Sequence, residues 1–422
     1  MKKRVVITGL GIVAPNGVGL DAFTHAIKHG ISGIEHNLEL ERLQFSCQIS
    51  GTPKISDELK RDYFTELELR NFNATGILYG VIAGIDAWKD AGLPIENKEN
   101  PDWDSGTIFG TGTSGIDKFR ESIYKIDDLQ TRRLGSTVVA QTMGSGISAF
   151  LGGKLGLGNQ VTTNSSACTT GTESILMGFE RIQQGKAKRM LVGSTSDSGP
   201  YIWGGFDAMK VCTFKHNATP EKGSRPMSKT ASGFVPSSGA GAMVVEALES
   251  ALARGARIYA EILGGNVNSG GQIGEGTMTA PNSIAVQKCI QDALTDAKIQ
   301  PDAIDAINGH LTATSKDALE IENWAKALNR KGIDFPYINS LKSMTGHGLS
   351  ASGSMECVAS VLQIYNDFLF PNINCENLHP EITSVIDSEK IPQQLFKKSL
   401  NIIAKASFGF GDVNGCIIFK KY

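Results

Sequence analysis

Short β-branched runs alternate with stretches of helical apolar spacing along this chain, and the alternation comes round twice. Arg4-Val5-Val6-Ile7-Thr8-Gly9 opens the first round as a strand running into glycine, and Ile258-Tyr259-Ala260-Glu261-Ile262-Leu263-Gly264 opens the second. Each round closes with a small-residue turn and an apolar strand, Ser238 to Val245 and then Asp412 to Phe419. Between these lie two matching strand-turn-helix passages. Val161 to Ser165 read as a strand, and Gly171 to Gln184 as a helix with Ile175, Leu176, Phe179 and Ile182 on one face. Pro336 to Leu341 read as a strand, and Ser350 to Tyr365 as a helix with Met355, Val358, Ala359 and Leu362 in register. The pattern predicts an α/β protein of βαβ units and mostly parallel sheets. Its two halves, 1–255 and 256–422, should be related by a pseudo-twofold axis, with one site between them.

Composition narrows the functional classes. The 422 residues carry 41% hydrophobic and 20% charged side chains and a formal net charge of -2. That is ordinary for a globular domain, and it gives no overall field toward nucleic acid or anionic lipid. Glycine stands out at 48 residues, spread through motifs and not gathered in a linker. Seven cysteines without a CxxC pair argue against a disulfide framework or a structural zinc site. The apolar run after the basic start is broken by Gly9, Gly11 and Pro15, so no signal peptide is expected there. With no run long enough to span a bilayer, the sequence predicts a cytoplasmic protein.

Three residues stand out as chemistry. Cys168 follows the small residues Ser165-Ser166-Ala167 at the start of a predicted helix, where unpaired N–H groups and the helix dipole favour a thiolate. Most free cysteines are buried structural residues. The strand, turn, cysteine and helix order is instead that of a nucleophile elbow. His310 lies at a strand end before the hydroxyl-rich loop Leu311-Thr312-Ala313-Thr314, and His347 ends the second strand-to-helix turn. Their wide separation in sequence argues against a shared metal. Gly9, Gly11 and Ala14 loosely satisfy a dinucleotide fingerprint, but Pro15-Asn16-Gly17 interrupts the helix it requires. These glycines read as packing turns.

Taken together, the segments resemble the β-ketoacyl-acyl-carrier-protein synthases, the elongating Cys-His-His type of the thiolase superfamily. The resemblance rests on Thr8-Gly9-Leu10-Gly11, Ser166-Ala167-Cys168-Thr169-Thr170-Gly171, Ser224-Arg225-Pro226 and Asn308-Gly309-His310-Leu311-Thr312. Lys342-Ser343-Met344-Thr345-Gly346-His347 and Phe408-Gly409-Phe410-Gly411 complete it. It implies a thiolase-like, five-layered αβαβα fold and decarboxylative condensation of carrier-bound acyl groups. Cys168 would be the nucleophile and His310 and His347 its partners. Backbone N–H groups of Cys168 and Phe410 would form the oxyanion hole, and Phe410 the gate. Lys342 and Glu320 would form the orienting ion pair, with Asp317 nearby. Thr312 and Thr314 would hold phosphopantetheine, while Phe206, Thr113 and Phe408 would meet the substrate. Arg132, Arg133 and Lys210 would meet an acidic acyl carrier protein. No prosthetic group or metal is implied, and the assembly would be a homodimer, with a heterodimer as the alternative.

The departures from the family pattern cluster around the pocket. Leu311 replaces a glycine, the loop to Asp317 is one residue short, and Asp412-Val413 replaces Gly-Thr after the gate. Ala231-Ser232 replaces Arg-Asp, Ser237-Ser238 replaces a Gly-acid pair, and Thr113 replaces an aliphatic residue. They imply a specialised synthase with a more polar, unsaturated or aromatic acyl group. A degradative thiolase would carry a second catalytic cysteine where this chain has Phe410, and an initiating synthase would have Asn in place of His347. A chain-length factor would lack Cys168, which leaves a catalytically weak partner subunit as the alternative reading.

Overall fold

The computed structural model describes residues 2–95 and 99–422. Ten strands form one continuous sheet path. In chain order they are β1 (Val5–Ala14), β2 (Ser105–Thr111), β3 (Val161–Thr162), β4 (Arg189–Ser196), β5 (Gly239–Ala247), β6 (Ala260–Ser269), β7 (Ala306–Asn308), β8 (Tyr337–Asn339), β9 (Ile402–Gly409) and β10 (Val413–Lys420). The spatial order is β8-β7-β9-β10-β6-β1-β5-β4-β2-β3, with Gly17–Val18 paired onto β1. Outward from the central β6/β1 pair, each half places its closing strand next, then three more strands. The two halves thus share one topology.

The sheets are mixed where the sequence predicts mostly parallel pairing. In each half the two outer pairings are parallel and the two inner ones antiparallel. The reason is local for β9 and β10: only Phe410, Gly411 and Asp412 separate them, and so short a turn returns the chain antiparallel.

Helices fill the spaces in layers. Thr75–Asp90 (α1) and Gly146–Leu155 (α2) cover the outer face of the first half, and their apolar residues join β1, β4 and β5 in one core. Thr170–Gln183 (α3) precedes the second-half helices Ser283–Ala297 (α4), Asp317–Leu328 (α5) and Ser352–Asn366 (α6). α4 and α5 cover the outer face of the second half with a core of their own. α3 and α6 lie between the half-sheets. Their residues Ile175, Phe179, Met355, Val358 and Leu362 join apolar side chains from both halves. This is the five-layered αβαβα arrangement.

Two glycine pairs set close approaches. Gly9 and Gly11 lie inside β1, not in a turn, and an added Cβ would meet the Ala87 or Ala83 carbonyl of α1 at 2.1 or 1.9 Å. The sequence reading is right about packing and wrong about turns. Gly171 and Gly353 let the inner helices touch: a Cβ on Gly171 would lie 2.3 Å from the Ser354 nitrogen, and one on Gly353 2.7 Å from that of Thr172. That contact draws together the two turns in which Cys168 and His347 sit.

Candidate active site

Cys168 occupies a single 3-10 turn, Ala167–Thr169, that runs straight into α3. Ala167 adopts φ 50°, a left-handed conformation costly for a residue with a Cβ. Thr170 secures this elbow, accepting from the Ser166 N–H at 2.8 Å and donating to the Ala167 carbonyl at 2.7 Å. The sulfur faces the backbone N–H groups of Phe410 and of Cys168 itself.

His310 lies two residues past β7. Its loop is shaped by carboxylates in the first turns of α5. Glu320 accepts the N–H groups of His310 and Leu311, each at 2.7 Å. Asp317 accepts those of Thr312 (3.0 Å), Ala313 (3.2 Å), Thr314 (3.3 Å) and Met227 (2.8 Å). His347 follows the short helix Lys342–Thr345 and Gly346. Its Nδ1 accepts the Leu349 N–H at 3.2 Å and lies 3.0 Å from Ser352 Oγ. That acceptor role places the ring proton on Nε2. The two imidazoles stand nearly perpendicular, 5.4 Å apart between centroids, with Phe234 edge-on to His347.

The Cys168 sulfur and one nitrogen from each imidazole all lie within 4.8 Å of one another. They line a cavity of about 230 Å³ with Phe234, Thr312, Thr314, Phe408 and Phe410. Thr312 and Thr314 hydroxyls are 3.1 Å apart. Phe206 is half-buried, its ring 6.0 Å from that of Phe410. Thr113 is exposed beyond β2, away from the cavity wall, its carbonyl accepting from Thr111 at 2.6 Å. Arg132, Arg133 and Lys210 are exposed, and none has an ion-pair partner among the described residues.

Electrostatics correct two expectations. Burial pushes the Cys168 thiol up, and Lys342 and the Phe410 and Cys168 amides only partly oppose it. Burial therefore outweighs the helix terminus, and the resting sulfur is a thiol and not the expected thiolate. Burial, reinforced by Lys342, holds both imidazoles well below their usual range, so both rings are neutral. The second correction concerns Lys342. Its ammonium pairs with Glu356 on α6, not with Glu320, and donates to the His310 carbonyl at 2.6 Å. Glu320 is turned away to the backbone amides, and burial lifts its carboxyl to about 7 and that of Asp317 to about 6.

Glu356, Ser352, Phe234 and a buried Lys405 belong to this neighbourhood but escape the sequence reading. Glu356 is hidden inside an apolar helical repeat. Lys405 does carry a signal: it is a charge in the otherwise apolar strand Ile402-Ile403-Ala404-Lys405-Ala406.

Known proteins resemble this chain over its whole length. The N-terminal domain model of the β-ketoacyl synthases matches residues 2–251, and the C-terminal domain model matches residues 259–376. A 3-oxoacyl-[acyl-carrier-protein] synthase 2 of Vibrio harveyi is 33% identical over 424 residues, covering 100% of this chain and 99% of its own. A β-ketoacyl synthase structure from Burkholderia phymatum superposes with a TM-score of 0.89 at 27% identity, covering 100% of both chains. A type II PKS acyl-carrier protein in complex with its ketosynthase bound to the hexaketide contains a chain matching at TM-score 0.87 and 26% identity, with 100% of both chains covered. Layered sheets and a paired-histidine cysteine pocket define a thiolase-like condensing enzyme. Within that class the chain belongs to the β-ketoacyl synthase family.

Proposed function

We propose that the protein is a β-ketoacyl-acyl-carrier-protein synthase that joins an acyl group held on Cys168 to a malonyl unit, in fatty acid or related specialised polyketide-like synthesis. The convergence of one thiol and two neutral imidazoles within 4.8 Å carries the reading. The Cys168 sulfur attacks the carrier thioester, its proton passes to a neutral imidazole and from there to the departing pantetheine sulfur, which leaves as a thiol and returns the ring to neutrality. The Cys168 and Phe410 amides, which lie against the sulfur, stabilise the tetrahedral oxyanion in this reading. The malonyl thioester then loses carbon dioxide, and the electrons of the broken C–C bond pass to its thioester oxygen. His347 Nε2–H and the neutral His310 ring donate to that enolate. The carbanion attacks the acyl-cysteine carbonyl, the sulfur is expelled and reprotonated, and a β-ketoacyl thioester leaves. Thr312 and Thr314 hold the pantetheine arm, and Arg132, Arg133 and Lys210 meet the acidic carrier protein.

The halves 1–255 and 256–422 act together, since the nucleophile comes from one and both histidines from the other. The exposed row Phe119, Ile123 and Ile126 on the helix Ile116–Asp127 supports a dimer, read here as a homodimer. The test supplies acyl and malonyl carrier proteins and measures carbon dioxide and β-ketoacyl product. Cys168→Ala abolishes acyl transfer, while Cys168→Gln, an acyl-cysteine mimic, leaves decarboxylation uncoupled from condensation. Losing one of the two histidine donors slows decarboxylation about 10²–10³-fold. Parent-rate decarboxylation by both His310→Ala and His347→Ala would sink the assignment.

A further inference from the structure

Lys405 lies in the middle of β9, fully buried at 0% exposure. A lysine reaches such a place only when its ammonium is paired. It meets Glu356 at 2.9 Å and Thr172 Oγ1 at 3.0 Å, and it donates to Ser407 Oγ. The other Glu356 oxygen already holds Lys342. One carboxylate thus serves two buried ammonium groups, leaving one positive charge uncancelled in the cluster. The ion pair with Lys342 is complete without Lys405, and burying a further cation is costly. The partners are also informative. Thr172 is on α3 just after the nucleophile, Glu356 is on the helix that follows His347, and Ser407 adjoins Phe408 of the gate strand.

We propose that Lys405 is a positioning residue of the condensation, acting with the synthase reading above. Its surplus positive charge keeps His310 and His347 unprotonated, so that one ring can take the thiol proton and both can donate N–H groups to the enolate. An imidazolium could do the second but not the first. Lys405 is linked to the rings through Glu356, whose other oxygen holds Lys342, the ammonium that donates to the His310 carbonyl at 2.6 Å. After burial and Lys342, it is among the groups that hold His310 and His347 below their ordinary range. The other charged or titratable groups around the rings and Lys405 are Glu320 and Asp317 on α5, Glu356 and Cys357 on α6, Cys416 on β10 and Cys168 before α3, the two cysteines Cys357 and Cys416 lying on the Lys405 side. Glu320 and Asp317 are lifted to about 7 and about 6. They therefore offset Lys405 least on the acid side, where imidazole protonation threatens. The sign follows: removing a positive charge raises both ring pKa values, so the acid limb of activity moves to higher pH.

The test compares the parent with Lys405→Met for acyl transfer from acyl carrier protein to Cys168 across pH. Near neutrality the two differ little. On the acid limb the variant, scaled to its own plateau, falls about tenfold below the parent, the effect of one unit charge across a buried site. Lys405→Gln, which keeps hydrogen bonds to Thr172 and Ser407 without the charge, moves the limb the same way and serves if the Met variant does not fold. NMR titration of ring-labelled histidines reads the shift without turnover. A parent without activity would therefore remove the synthase reading while still leaving Lys405 open to judgement. Rings that titrate alike in parent and variant, or a uniform loss of rate with an unmoved acid limb, would overturn the proposal. Failure of both variants to fold would also overturn it, by making Lys405 a strut of the core.

Discussion

Leu311, beside a proposed catalytic histidine, carries a conflict between backbone and core. It sits at φ 22°, where a residue with a Cβ is strained, yet its side chain is fully buried among Ile321, Trp324 and Ile338. Its carbonyl accepts from Ser340 at 2.9 Å and its N–H goes to Glu320, so the conformation is held from both sides. The family's glycine meets the backbone demand and forgoes the packing; this chain does the reverse. Truncating a buried leucine costs about 2–5 kcal/mol, whereas the left-handed strain is about 1–2 kcal/mol. Both Leu311→Gly and Leu311→Ala should therefore destabilise the protein in denaturant titration. Their order is the diagnostic. Glycine in place of alanine normally loses about 0.5–1 kcal/mol, but here it escapes the strain and should equal or exceed alanine. An alanine variant clearly more stable than the glycine variant would show that the backbone at 311 is not strained.

At the level of elements, Phe410, the proposed gate, belongs to a hairpin that is tied to its neighbour. Asp412, where the family has glycine, is buried at φ 60° in the β9–β10 turn. Its carboxylate accepts the N–H groups of Asn282 at 2.8 Å and Gln272 at 3.1 Å, and its carbonyl accepts that of Gly270 at 3.0 Å. Gly411 returns a bond to the Met278 carbonyl at 2.9 Å. The segment so gripped supplies Thr279 and Pro281 to the cavity wall, and its Asn282 caps α4. Phe410 therefore cannot swing without straining these bonds. Asp412→Gly keeps the turn conformation and removes both carboxylate bonds. It should raise the rate at which iodoacetamide alkylates Cys168 in the substrate-free enzyme severalfold, with Asp412→Asn between the two. Equal alkylation rates in all three would mean that the hairpin moves independently of the segment. The elements themselves were legible: the predicted helices Gly171–Gln184 and Ser350–Tyr365 appear as Thr170–Gln183 and Ser352–Asn366. Which way a carboxylate points was not. Glu320 lies nearer His310 in sequence than Glu356 does, yet it is Glu356 that reaches Lys342, from a helix whose periodicity advertises only core. The ionisation of Cys168 was misjudged for a related reason. A dipole can be read from position, but the depth of burial that opposes it cannot.

At the scale of the molecule, the repeated half-sheets bring two distant turns together while leaving little net charge to attract a partner. With a formal net charge of -2, the chain does not draw an acidic carrier protein by its overall field, so the proposed capture rests on local cations. Arg132 and Arg133 stand exposed in the turn Thr131–Arg133, and Lys210 stands exposed after the helix Pro200–Ala208. Among the described residues no ion pair occupies them. Reversing Arg132 and Arg133 to glutamate should raise KM for malonyl carrier protein about tenfold and leave kcat within about twofold, because rim charges govern encounter more than chemistry. The same variant should handle malonyl-pantetheine, which has no acidic protein surface, like the parent. Added salt should raise the parent's KM for the carrier protein and hardly move that of the variant, since screening weakens only an attraction that exists. A KM equally changed for both substrates would place these arginines in the fold and not at the docking face. An unchanged KM for the carrier protein would move the docking face elsewhere, and the cations around Lys210 would be the next to reverse.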